Sequence, residues 1–112
     1  MKIIEKQNAV CLNPDKLTSI SEFQMDYQDI SGALAAINGR YPESGLVLNE
    51  VSSELVYVLK GSGKIITSDN ETAFKEGDVI YIDKKESFAW EGNFEIFMAT
   101  SPKFDPSQHK SV

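Results

Sequence analysis

Downstream of Leu46 the chain alternates apolar and polar residues in short runs, each closed by turn-forming residues. The period is two, which puts one face of each run on a core and predicts strands. The runs are Leu46–Val51, Glu54–Leu59, Lys64–Ser68, Thr72–Phe74, Val79–Ile82, Ser87–Glu91 and Glu95–Ala99. Between them stand Val51-Ser-Ser, Gly61-Ser-Gly, Ser68-Asp-Asn-Glu, Glu76-Gly-Asp, Asp83-Lys-Lys-Glu and Glu91-Gly-Asn. Many short strands at this spacing predict an all-β sandwich or barrel.

The first third of the chain is less regular. Ile3-Ile4 is expected to form a short strand, and Asn13-Pro14-Asp15 to turn, since Pro fixes φ and Asn and Asp bond locally. Lys16 to Ile30 is polar with scattered apolar residues and is expected to be a loop or strap over the barrel. Gly32 and Gly39 bracket only six residues, short for a helix and normal for a strand. That segment is assigned to a strand and Arg40–Gly45 to a turn. Ser101-Pro102 ends the last strand, and the polar tail 103–112 is expected to be extended or frayed.

Length and charge narrow the classes. At 112 residues the chain fits a single domain, with a barrel core about 32–102 after the N-terminal strand and strap 1–31. A net charge of −6 argues against nucleic acid and anionic membrane, both of which call for a basic face. No apolar run reaches the ~20 residues of a membrane span. Cys11 stands alone, so no internal disulfide forms. With no signal-type leader, the expected location is the cytoplasm.

Glu54 followed after six residues by Gly61, the run Tyr57-Val-Leu-Lys-Gly61, and Gly77-Asp-Val-Ile-Tyr-Ile together resemble the cupin superfamily. The resemblance covers about Gly32 to Pro102. It implies a jelly-roll barrel, a double-stranded β-helix. It also implies a metal site of three His and one Glu. Anchored on Glu54, two of the His positions fall on Leu48 and Glu50, or with the alternative spacing on Val47 and Asn49; the third falls on Phe88. Only Glu54 is retained, and the sole histidine, His109, lies in the tail. No metal or other cofactor is therefore expected.

With Glu54 pointing inward, alternation brings Val56 and Val58 in as well, while Leu48 and Glu50 share one face and Phe88 and Trp90 another. The expected ligand-binding set is Leu48, Glu50, Glu54, Val58, Phe88 and Trp90. Two inward carboxylates, Glu50 and Glu54, are the candidate acid–base pair, unless one of them turns to solvent or pairs with Arg40 or a lysine. Three functions follow from these residues. The first is metal-independent binding of a small sugar-like or amine-bearing molecule. The second is an isomerase, epimerase or lyase using the two carboxylates. The third is a structural or dimerising module with a filled barrel. Leu55, Tyr57 and Leu59 point outward, toward the strap or toward a second copy in an expected homodimer.

Overall fold

The computed structural model describes residues 1–112. Nine strands form in chain order: β1 Val10–Asp15, β2 Thr18–Phe23, β3 Ser31–Tyr41, β4 Val47–Asn49, β5 Ser53–Ile66, β6 Glu71–Lys75, β7 Val79–Ile82, β8 Ala89–Ser101 and β9 His109–Ser111. Two single turns of 3₁₀ helix span Lys6–Asn8 and Pro106–Gln108. The larger sheet runs β1-β2-β3-β8-β5-β6 with β7 also paired to β5, and β4 pairs with β9 in a small second sheet. A bridge between Val47 and Phe88 ties the small sheet to the start of β8. No helix is long and apolar enough to cross a membrane.

Strand β5 follows the expected alternation. Glu54, Val56 and Val58 are buried, whereas Leu55, Tyr57 and Leu59 are exposed. Val56 and Val58 join Ala35, Ile37, Val47, Phe74, Ile82, Phe88, Trp90, Phe94 and Ile96 in one core cluster. The outward ones form an apolar face with their cross-strand neighbours. Leu55 lies opposite Tyr81, and Tyr57 lies opposite both Val79 and Phe97.

Several elements differ from expectation. Gly61-Ser-Gly63 and Glu91-Gly-Asn are not hairpin turns; they lie inside the two long strands β5 and β8, which pair through both segments. Their glycines serve close approach instead. A Cβ on Gly92 (φ +148°) would lie 2.5 Å from Gly63 Cα, and one on Gly61 (φ +79°) would collide with the Asn93 carbonyl oxygen. Ile3-Ile4 forms no strand. The expected loop at 16–30 instead contains β2, which pairs with β1 on one side and along β3 on the other. The turn sits at Lys16-Leu17, where the Asp15 carboxylate accepts from the Leu17 N–H at 2.8 Å.

The tail is ordered rather than frayed. Pro106–Gln108 turns, with Asp105 Oδ1 accepting from the Ser107 N–H at 2.9 Å, and β9 follows directly. Gln108 is buried and clips the segment down. Its Oε1 accepts from the N–H groups of Val51 (2.9 Å) and Ser52 (2.7 Å), and its Nε2 donates to Ser52 Oγ at 2.9 Å. One amide side chain thus satisfies two backbone donors where the chain bends between β4 and β5.

Candidate functional site

The barrel is filled around Phe74 and Phe94, which meet edge to face with ring centroids 4.9 Å apart. Trp90 caps this cluster, 5.6 Å from Phe74 and 5.5 Å from Phe94. Beyond Trp90 the interior opens into a cavity of about 470 Å³. Its apolar walls are mainly aromatic and thioether: Phe23, Met25, Tyr41, Phe88, Trp90, Met98 and Phe104. Polar groups enter from Glu54 and Thr100 on the barrel strands, Glu22 and Asp26 on the strap side, and Lys103 and His109 on the C-terminal segment. Lys103 Nζ is held by the Met25 carbonyl at 3.1 Å, which joins the two covering segments across the mouth.

A chain of four side chains borders this cavity. The Tyr41 hydroxyl lies 3.0 Å from His109 Nε2, and the two rings are nearly parallel. His109 Nδ1 lies 2.8 Å from Asn49 Oδ1, and Asn49 Nδ2 donates to Glu54 Oε1 at 2.8 Å. The β4–β9 pairing creates this arrangement, because Asn49 and His109 face each other in register. Burial sets the protonation. It raises the Glu54 pKa above the usual 4.5, partly opposed by the Asn49 hydrogen bond. It lowers that of His109 below 6.5. Burial and the charges of Asp15 and Glu54 raise that of Tyr41. Near neutral pH the imidazole and the phenol are both uncharged.

Of the residues expected in the pocket, Glu54, Phe88 and Trp90 line the cavity, whereas Leu48, Glu50 and Val58 do not. Val58 is fully buried in the packed core. Leu48 and Glu50 are displaced by a one-residue register, which flips every side chain of a strand to its other face. Val47 and Asn49 are the buried residues of β4, Leu48 is half-buried and Glu50 is exposed. The alternative spacing is therefore the one the chain adopts, and the expected pair of inward carboxylates is a single one. Tyr41 and His109 were not anticipated as site residues, and Asn49 entered only as a motif position of the alternative spacing. The available signals were the alternation of β4 in its other register and the Asp-Pro-Ser-Gln turn just before the only histidine.

The motif positions now read Val47, Asn49, Glu54 and Phe88. They offer one amide and one carboxylate beside two hydrocarbon side chains. Nowhere do three His, Cys, Asp or Glu residues stand close enough to share an ion. His109 spends both ring nitrogens on Asn49 and Tyr41. This donor set does not fit a transition metal, which wants imidazole or thiolate ligands.

The model of the EutQ-like cupin domain matches residues 42–97, half of the chain. This protein is a cupin. Solved structures overlay it along its length. Pac13 of Streptomyces, a nucleoside dehydratase also solved with uridine, superposes with a TM-score of 0.89 over 100% of this cupin and 91% of that chain, at 13% identity. The polyketide cyclase RemF of Streptomyces resistomycificus gives 0.77 over 100% and 85%, at 15% identity. At these identities the likeness is one of fold. A curated relative, 1-hydroxy-2-naphthoate 1,2-dioxygenase of Nocardioides sp. (strain KP7), is 40% identical over 45 residues, which is 40% of this cupin and only 12% of the dioxygenase.

Proposed function

We propose that this cupin binds a small ring-containing molecule in the barrel, without a metal, and holds its polar edge at the Tyr41 hydroxyl, which His109 engages from behind. The cavity of about 470 Å³ carries the reading. It is large enough for a molecule of one or two rings, and it sets polar groups from the barrel strands, the strap and the C-terminal segment among aromatic and aliphatic walls. Trp90 is the only tryptophan and lines the cavity, so its fluorescence reports occupancy. A panel of nucleosides, hydroxylated aromatic acids and sugars, with uridine first because a fold relative was solved with it, is expected to contain a ligand that shifts Trp90 emission. The shift survives chelation and is lost in Ala33→Phe, which puts a ring into the cavity and adds no tryptophan. A panel without a binder at millimolar concentration overturns the reading, and binding abolished by chelation overturns its metal independence.

A second reading has its own observation. Tyr41 and His109 are neutral, hydrogen-bonded to each other and open to the cavity, a state suited to proton transfer of isomerase or lyase type. A proton leaving the ligand would pass to the Tyr41 oxygen as the hydroxyl proton moves to His109 Nε2, and the reverse relay would return one to the product. Exchange of a ligand C–H with deuterated solvent, lost in Tyr41→Phe and in His109→Gln, separates turnover from binding. The outward face of Leu55, Tyr57, Val79, Tyr81 and Phe97 supports a homodimer in which a second copy covers it. Sedimentation at the monomer mass alone would remove that proposal.

A further inference from the structure

The hydrogen bonds of the four-residue chain have a direction. Asn49 is only 2% exposed, and both ends of its amide are engaged. Its Nδ2 donates to Glu54, so its Oδ1 faces His109 Nδ1. An amide oxygen carries no proton, so the imidazole proton sits on Nδ1. A neutral imidazole has one proton, which leaves Nε2 bare. The Tyr41 hydroxyl, 3.0 Å away, fills that lone pair with its only hydrogen. Toward the cavity Tyr41 then offers oxygen lone pairs and no donor.

In its ionised form Glu54 enforces this order. A carboxylate accepts and never donates, so it holds the NH₂ end of Asn49 toward itself. Rotating the amide would set its oxygen against the carboxylate. It would also move the imidazole proton to Nε2 and free the Tyr41 hydroxyl to donate into the cavity. A side chain able to donate at position 54 permits both arrangements.

We infer that Glu54, once ionised, is a positioning residue that, through Asn49 and His109, makes Tyr41 a hydrogen-bond acceptor, so that the barrel then selects ligands presenting an O–H or N–H to it. The class is phenols, alcohols and ring N–H compounds, in preference to the ethers and esters of the same shape. This rests on the cavity being a ligand site, but the positioning role can be measured without any ligand.

His109 is the only histidine, so the imidazole ¹⁵N spectrum of the labelled protein reports it alone. Burial raises the Glu54 pKa, so the spectrum is taken at alkaline pH, with the carboxylate ionised. The wild type is expected to show one tautomer, protonated at Nδ1. Glu54→Gln keeps the shape but adds a donor, and is expected to give a mixture; Glu54→Asp, again acceptor-only, restores the single form. A wild-type proton on Nε2, or a Glu54→Gln spectrum identical to the wild type, overturns the positioning role.

Phenol and anisole, followed by Trp90 fluorescence, test the ligand class. They share a ring and differ in one donor. Phenol is expected to bind at least about tenfold more tightly, the weight of one hydrogen bond at a buried acceptor, and the ratio is expected to shrink in Glu54→Gln. Equal affinities overturn the class. If neither probe binds, the selectivity claim falls together with the cavity reading, while the spectrum still decides the role of Glu54. Should Glu54→Gln fail to fold, the wild-type spectrum and the phenol-to-anisole ratio decide between them.

Discussion

The filled and hollow halves of the barrel share the same long strands, yet they solve different problems. Around Phe74 and Phe94 the interior is closed by interlocking rings, and Gly61, Gly63 and Gly92 let the strands crowd in. Beyond Trp90 the same strands contribute Glu54, Met98 and Thr100 to an open space. Alternation determines which side chains face inward in both halves. Whether the inside is solid or hollow depends on what meets them there: rings from β6 and β8 in one half, and covering segments from the two ends of the chain in the other.

The largest expected effect separates the two halves directly. Phe94→Ala removes a ring with close neighbours and should cost about 3–5 kcal/mol in urea unfolding. Met98→Ala, whose side chain borders space already open, should cost less than the ~2 kcal/mol usual for a packed methionine. Equal losses would mean that the hollow half is packed as tightly as the other.

Protonation distinguishes the halves next, because the shifted buried groups lie on the hollow side. The Glu54 pKa is raised by burial, so the folded state holds that proton more tightly than the unfolded one. Its contribution is complete below the unfolded value near 4.5 and is lost as pH rises through the folded value. His109 works in the opposite sense. Its lowered pKa gives stability above about 6.5 that is lost as pH falls through the folded value. Glu54→Gln should therefore be as stable as the wild type or more so at pH 7, with the difference closing near pH 4. Denaturant midpoints across pH 4–8 measure this. A Gln variant much weaker at pH 7 would mean that the carboxylate is ionised and satisfied.

The smallest effect belongs to the filled half. Thr18 Oγ1 is buried without a hydrogen-bond partner, opposite Ile37 on β3. Thr18→Val removes the unpaired hydroxyl at equal shape and should be neutral or raise stability by up to about 1 kcal/mol. A loss above that would point to a bond that the hydroxyl does make.

Much of the inward face of β5 and of the start of β8 was legible in the sequence. The inward run Glu54, Val56, Val58 and the pair Phe88 and Trp90 follow from a period of two. Strand continuity was not legible, because glycines that permit close approach have the same local signature as glycines that turn a hairpin. The hollow half was largely hidden. Strand β4 is three residues long, too short for its own pattern to choose between Leu48/Glu50 and Val47/Asn49. His109 is separated by 60 residues from Asn49 and by 68 from Tyr41, and no local pattern announces a pairing at that range.

The Gln108 clip bears on how such a site can change over time. The strands that bear the family motif hold packing residues, Val47 and Phe88, whose replacement disturbs the core. The imidazole instead arrives on a short ribbon, fastened by one buried amide to the bend at Val51 and Ser52. Residues on that ribbon can be exchanged while the clip and the barrel stay as they are. Chemistry and architecture are thereby placed on separately variable parts of the chain, and new ligand preferences can be explored at the ribbon with little risk to folding.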